Sequence, residues 1–405
     1  MNRPRAAGEA PRGVLPTLCL TVTVSYGTLY YAFAVLAPAI TRDTGWSLTA
    51  ITAAFSLGSV MTGVAGVVAG RTIQARGPRA VMVTGGAVGA GGLLVVAAAP
   101  TFAWFVVGML VCGTGAAGLF YAPAFAAITH WHGPRRVEAL TVLTLVAGFA
   151  STVFAPLTTA LEGSLGWRGV YVAFAFLLLL VAVPLHALAL QHPWPAESRH
   201  AHRHTDRAVL TSSTFVLVAV AGTLTTLAMY ASLIALIPLL IERGMTPALA
   251  AWALGLGGAG QVAGRVLYPR LTRVMGLRAR VSLVAGSVAV TLAALALVPG
   301  PAWLLIVVSV VAGAARGLFT LVGATLVTDL WGPERSAALN GVLSAPLAGA
   351  TAVGPFLGAW VADVTDSYAV AFAVLAALAG AGAVLFALVT GREGAVRGGE
   401  VSRTG

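Results

Sequence analysis

Apolar runs long enough to cross a lipid bilayer occupy most of this 405-residue sequence and constrain its fold more than any other feature. Hydrophobic residues make up 58% of the chain and charged residues 9%, whereas soluble domains carry about 25% charged residues. This composition excludes a water-soluble fold and predicts an all-α integral membrane protein. Runs of about 20 residues predict twelve transmembrane helices, at about 14–40, 48–70, 80–99, 102–128, 138–160, 169–190, 209–240, 248–268, 281–298, 302–328, 337–361 and 368–390.

The basic residues predict the orientation of these helices. All 24 are arginines, and most lie in polar segments on one side of the predicted membrane. The other side has only Arg42, Arg168 and Arg243, while Arg265 and Arg316 lie inside apolar runs. Because arginine-rich loops stay in the cytoplasm, we expect both termini to be cytoplasmic. The net charge of +11 therefore reflects topology, and we expect no nucleic-acid partner. The absence of lysine indicates a GC-rich bacterial genome, which predicts a bacterial plasma membrane.

A shift of 199 residues brings the two halves of the chain into register. The matching positions include Tyr31 with Tyr230, Gly45 with Gly244, Pro100 with Pro299, Trp104 with Trp303, Gly118–Phe120 with Gly317–Phe319, and Pro156 with Pro355. Such a parallel repeat predicts two pseudo-symmetric six-helix bundles, residues 14–190 and 209–390. A cytoplasmic linker, 191–208, would join them, and residues 1–13 and 391–405 would form cytoplasmic ends.

The polar segment after the second predicted helix carries a motif. Its sequence, GRTIQARGPR, resembles the loop between helices two and three of the major facilitator superfamily: a glycine, an acidic residue, then a basic–glycine–basic cluster. Gly77 and Arg79 match that pattern, and Gly70 and Arg71 begin the segment. Gln74 replaces the aspartate of the family, which removes the acidic partner from a charge pairing that helps to hold the bundles together in relatives. The resemblance implies that these five residues belong to a gating loop.

Three further stretches resemble one branch of that superfamily. They are YYAFAVLAPAITRDTGWS, HGPRRVEAL and LGWRGVY, which are similar to segments of the monocarboxylate transporters and oxalate–formate exchangers. The resemblance implies alternating access, in which two bundles rock about a cavity at the membrane midplane. It also implies that the first and fourth helices of each half line that cavity. Arg316 lies in the fourth helix of the second half.

Arg316 is the residue that most constrains the predicted function. It lies inside VVAGAARGLFTLVGATLV, where an arginine costs roughly 2.5–3.5 kcal/mol on insertion scales. No acidic residue lies in the interior of an apolar run, so we predict that Arg316 faces an aqueous cavity and binds an anionic substrate. A guanidinium offers a planar fork of donors that suits a carboxylate. The alternative is a structural role, in which Arg316 bonds to helix carbonyls or closes a contact between the bundles.

Four more side chains are predicted to line the same cavity. Thr320 lies one helical turn beyond Arg316, on the same face, and Tyr121 is its counterpart in the repeat. Tyr31 and Tyr230 are counterparts in the first and seventh helices. For each tyrosine the alternative is packing, or a position at the edge of the bilayer.

These patterns predict a secondary active or facilitative transporter of a small organic anion, a carboxylate. The alternatives are an exporter of hydrophobic or cationic compounds, which should have an acidic group in its cavity, and a non-transporting membrane sensor. The apolar runs contain no nucleophile–base pair, metal cluster or phosphate loop, so we expect neither an enzyme nor a cofactor. The spacing of His200, His202 and His204 alone does not predict a metal site.

Energy coupling is left open by the sequence. No buried acidic residue is present to carry a proton, which leaves anion exchange, facilitated diffusion, or symport in which the substrate carries the proton. A co-transported or exchanged ion is therefore an open partner, beside the substrate and the lipid bilayer. Arg265 is expected to extend from the cytoplasmic end of its helix to the lipid headgroups.

Overall fold

Helices form nearly all of the structure, a computed structural model that describes residues 13–194 and 207–389. For residues 207, 208 and 333–338 the structure describes the backbone only. The predicted ends at 1–12 and 390–405 lie outside the described residues, as do linker residues 195–206 with His200, His202 and His204.

The first half contains eight helical segments, several of which continue one another. They are α1 (Val14–Thr44), α2 (Leu48–Arg76), α3 (Pro78–Ala98), α4 (Phe102–Ala117), α5 (Tyr121–His132), α6 (Arg136–Ala147), α7 (150–165) and α8 (167–189). Within α1, residues Gly27–Tyr31 form a wider π-helical turn. Side-chain caps begin α2 and α4, where Ser47 and Thr101 accept from backbone N–H groups. Such caps satisfy donors that the first turn of a helix leaves free.

The second half contains six longer helices. They are α9 (Ser213–Glu242), α10 (Pro247–Val274), α11 (Leu277–Leu297), α12 (Ala302–Trp331), α13 (Pro333–Thr365) and α14 (Tyr368–Ala387). By length and composition, nine helical segments of the described chain could cross a membrane. One of the nine, Phe102–Ala189, runs through α4 to α8, and α10 is not among them. The all-α membrane fold is confirmed, whereas the count of twelve crossings stays a prediction.

The repeat is visible in the backbone as well as in the sequence. Gly45 and Gly244, which are equivalent in the repeat, follow α1 and α9 with φ angles of 73° and 81°, a conformation that glycine adopts at little cost. The halves differ at the matched Gly-Leu-Phe motif. In the second half, Gly317–Phe319 lies inside the continuous helix α12, whereas in the first half Gly118–Phe120 is a break between α4 and α5. The single span predicted at 102–128 is therefore two helices.

The two halves contact each other mainly at the end away from the chain termini. There α2 packs against α13, and α7 packs against α10. The hydrogen bonds across this part of the interface include Thr49 Oγ1 to the Ala359 carbonyl (3.4 Å), the Phe356 N–H to Ser56 Oγ (3.2 Å), and Thr152 Oγ1 to the Gly255 carbonyl (2.7 Å). Toward the termini, a cavity of about 600 Å³ lies between the halves.

Candidate functional site

The cavity between the bundles collects four of the five residues predicted to bind substrate. Tyr31, Tyr121, Tyr230 and Thr320 all line it, and they come from both halves of the chain. Arg316 is not part of its lining. Among the described residues, no aspartate, glutamate or histidine lines this cavity, and no cluster of three or more potential metal ligands is found.

Aromatic rings form much of the wall contributed by the first half. The Tyr26 ring stacks on Phe120, with centroids 4.1 Å apart, and its centroid is 4.9 Å from that of Tyr121. Tyr30 reaches across to the second half, where its ring centroid is 6.4 Å from that of Tyr230. The break before α5 therefore places Phe120 and Tyr121 beside α1.

Arg265 supplies the positive charge in the cavity wall, and the sequence-based expectation for it was wrong. Its side chain does not extend to the headgroups. It is 6% exposed, lines the cavity, and donates from Nη1 to the Thr144 carbonyl of the opposite bundle. The guanidinium also interacts with the Tyr121 hydroxyl, while its Nε is buried without a hydrogen-bond partner.

The depth of Arg265 in its helix became clear only from the structure. The sequence predicted a span that ended at residue 268, three positions beyond Arg265. In the structure α10 continues to Val274, nine positions beyond Arg265, which at 1.5 Å per residue is roughly 14 Å. The counterpart of Arg265 in the first half is Gly66, so this charge, like that of Arg316, is specific to the second half.

Arg316 lies inside the second bundle, in a separate small pocket. It is 9% exposed, and the pocket beside it is formed by α9, α10, α11, α12 and α14. Its charge interacts electrostatically with the hydroxyls of Tyr30 and Tyr230, so it lies behind the tyrosines of the central cavity. Its own backbone carbonyl accepts a hydrogen bond from Thr320 Oγ1, at 2.8 Å. Substrate contact by Arg316 stays a prediction.

The predicted gating loop surrounds the end of α2. Gly77, with φ of 82°, ends this helix, and the Arg79 Nε donates to the Ala187 carbonyl at 2.9 Å. Gly70 and Gln74 line a second cavity of about 610 Å³, and Arg71 is exposed. Arg278, the counterpart of Arg79, donates from Nε to the Ala387 carbonyl in the same way. Each of these two arginines thus bonds to the last helix of its own half, and a gating role stays a prediction.

The start of the predicted linker packs on the first bundle. The Trp194 ring centroid is 4.2 Å from that of His130, and a Cβ built on Gly77 would be 3.0 Å from Trp194. The Trp131 Nε1–H donates to the Pro193 carbonyl at 3.2 Å. The chain therefore leaves the first bundle at the end of α2 and α5.

The sequence as a whole matches one family. The model of the Major Facilitator Superfamily matches residues 18–303 and, overlapping them, 219–405. The chain belongs to the Major Facilitator Superfamily. It is therefore a membrane transporter and not an enzyme, as the sequence predicted.

Relatives with assigned names confirm the resemblance to monocarboxylate transporters. The chain is 29% identical to monocarboxylate transporter 13 of Rattus norvegicus over 334 residues, which cover 76% of this chain and 73% of that protein. It is 27% identical to monocarboxylate transporter 13 of Bos taurus over 332 residues, with the same coverage of both chains. An MFS-type transporter of Gibberella moniliformis is 21% identical over 333 residues, 80% of this chain and 78% of that protein.

Solved structures confirm the fold. The nucleoside transporter NupG superposes with a TM-score of 0.73 over 92% of this chain and 98% of its own, at 14% identity. A bacterial homologue of the human lysosomal transporter Spinster, in an inward-facing and occupied conformation, superposes with a TM-score of 0.66 at 16% identity, over 93% of this chain and 94% of its own. At these identities the likeness concerns the fold alone.

Proposed function

We propose that this transporter moves a small organic anion, a carboxylate, across a bacterial plasma membrane by alternating access. One observation carries the proposal: the guanidinium of Arg265 is buried in the wall of the cavity, and none of the described residues that line that cavity is acidic. A buried charge without a partner costs several kcal/mol. A substrate carboxylate that binds there would offset this cost.

The surroundings of Arg265 suit a carboxylate. Its unpartnered Nε and the nearby Tyr121 hydroxyl offer donors of the kind that bind a carboxylate oxygen. The tyrosine rings on the opposite wall and the alkyl side chains of α2 would surround an apolar substrate tail. The similarity to proteins named monocarboxylate transporters supports the same substrate class.

Arg265 also links substrate binding to the movement of the bundles. Its hydrogen bond to the Thr144 carbonyl connects α10 to α6, and so joins the two halves beside the cavity. A carboxylate bound to the guanidinium would compete for the same donors and change the strength of this link. With both termini cytoplasmic, as the arginines predict, the conformation described here opens to the cytoplasm.

Uptake into proteoliposomes tests the substrate class. The panel contains monocarboxylates, dicarboxylates and lipophilic cations, and the variants are Arg265→Gln, Arg265→Lys and the control Arg273→Gln, an exposed arginine on the same helix. Hydrogen bonds to a charged group contribute about 1.5–3 kcal/mol, so Arg265→Gln should lower kcat/KM for a carboxylate by roughly 10- to 100-fold. Arg273→Gln should leave it unchanged.

Two results would contradict the proposal. Transport of lipophilic cations alone would favour the exporter, and carboxylate uptake that Arg265→Gln leaves intact would remove Arg265 from the site.

Energy coupling is measured in the same vesicles. Acceleration of uptake by internal substrate indicates exchange, and dependence of uptake on a pH gradient indicates symport with a proton. If neither effect is observed, the transport is facilitated diffusion. Arg316→Gln belongs in the series, because substrate contact by Arg316 is still a prediction.

A further inference from the structure

The guanidinium of Arg316 is a second buried cation, separate from the substrate cavity. The pocket beside it has a volume of about 20 Å³ and is lined by the hydroxyl residues Ser232, Thr291 and Ser309 among apolar side chains. A Cβ built on Gly257 would be 3.8 Å from Nη2, which locates the head group at this pocket. The Nε atom is buried and has no hydrogen-bond partner.

Nothing described in the chain neutralises this charge. The two salt bridges of the described residues are formed by Arg168 with Asp43 and by Arg280 with Asp329. The three hydroxyls donate to carbonyls of their own helices, at 2.8–3.0 Å. They are neutral, and they can turn toward a ligand at small cost because those carbonyls also accept from helix N–H groups.

The pocket limits the size of any ligand. A volume of about 20 Å³ accommodates one water-sized species, and an organic carboxylate is too large for it. A water molecule would fit, but it would leave the positive charge without a counterion in a low-dielectric interior. A monatomic anion fits the volume and also supplies the missing charge.

We propose that Arg316 holds a chloride ion inside the second bundle, with the hydroxyls of Thr291, Ser309 and Ser232 completing its coordination. This site does not depend on what the central cavity carries. Bound chloride would neutralise the guanidinium and join α11 to α12 within the bundle. It would also weaken the field of Arg316 at the tyrosines that line the substrate cavity.

Thermal unfolding of the purified full chain in detergent tests the site. Chloride replaces gluconate at constant ionic strength, and bromide and sulfate serve as comparisons. A ligand that binds only the folded protein raises its stability with concentration, so we expect a saturable rise in Tm of roughly 3 °C with chloride. Bromide should act similarly, while sulfate, which is too large for the pocket, should give no saturable rise, only the gradual stabilisation that this salt gives to folded proteins in general.

Variants separate this site from the substrate cavity. Arg316→Gln should abolish the chloride-dependent rise in Tm, and Arg265→Gln should retain it. Thr291→Val keeps the charge and the side-chain shape, and should raise the half-saturating chloride concentration roughly fivefold, the effect of one hydrogen bond. This variant keeps the test usable if Arg316→Gln does not fold.

Three results would overturn the proposal. Equal Tm in chloride and gluconate would mean that the pocket holds water only. A chloride effect lost in Arg265→Gln and kept in Arg316→Gln would place the anion in the central cavity. A half-saturating concentration unchanged in Thr291→Val would exclude this pocket. None of these results depends on carboxylate uptake, so this proposal and the proposed function can fail independently.

Discussion

A methyl group added at Gly313 would have no room. A Cβ built there lies 1.9 Å from the backbone oxygen of Gly257, whereas real Cβ contacts are essentially never shorter than 3.0 Å. In Gly313→Ala, α10 and α12 would therefore have to separate by about 1.1 Å at this crossing. Overpacking of this kind costs about 1–3 kcal/mol. Small residues that let two backbones approach are a principal means of joining helices within a membrane.

Gly323 provides a matched control on the same helix. A Cβ built there meets nothing within 4 Å, so Gly323→Ala gains the helix propensity of alanine, about 1 kcal/mol, without a clash. The same gain occurs in Gly313→Ala and cancels in the comparison. The difference between the two variants is then the packing cost alone, which corresponds to a Tm lower by roughly 5 °C for Gly313→Ala.

The measurement is thermal unfolding of both variants and the parent protein in one detergent. We expect Gly323→Ala to melt at or slightly above the parent, and Gly313→Ala to melt below both. Equal melting temperatures for the two variants would show that the helices do not pack as closely as described.

Three more outcomes follow from hydrogen bonds of the structure. Asp329→Ala should destabilise the protein by about 2 kcal/mol or more, because it leaves Arg280 buried without its partner. Asp43→Ala breaks a half-exposed ion pair and should lower the free energy of unfolding by less than about 1 kcal/mol. Chemical unfolding of the two variants measures both effects. Thr152→Val removes a 2.7 Å hydrogen bond between the bundles. It should raise the labelling rate of a cysteine introduced where the halves contact each other, at the end away from the chain termini, by up to about fivefold. His186→Phe loses contacts to α1 and α3 and should lower Tm, while unchanged Tm would mean that those contacts contribute nothing.

The repeat could be predicted because its signals are local. Turn glycines such as Gly45 and Gly244 are favoured where a left-handed conformation ends a helix, so their spacing can be recognised in a sequence rich in alanine and leucine. Tyr31 and Tyr230 could be assigned to the cavity for a related reason. Once the repeat fixes the register, equivalent helices present equivalent faces.

The roles of the two interior arginines could not be distinguished in the same way. In a soluble helix a polar stripe marks the exposed face, but α10 and α12 contact lipid on one side and protein on the other, so most positions are apolar. The sequence therefore shows the depth of a charge and not its direction. Arg265 proved to face the cavity, and Arg316 lies in a pocket behind it.

Ion pairs between residues that are distant in the sequence also could not be predicted. The Asp329 carboxylate accepts a hydrogen bond from the Arg280 Nη2 at 2.6 Å, across 49 positions of the sequence. That contact depends on how α11 crosses α12, which no local pattern reveals. The break at Gly118–Phe120 has the same origin, since its motif is helical in the second half.

The π-helical turn of α1 decides how many phenol rings reach the cavity. In a regular α-helix, Tyr26 and Tyr31 would point in clearly different directions, since five residues exceed one turn of 3.6. The wider turn closes a hydrogen bond from the Ala32 N–H to the Gly27 carbonyl, five residues apart, which brings such positions onto one face. Deleting a single residue here would rotate one end of the helix relative to the other, and the tyrosine wall would lose a member although no tyrosine had been replaced.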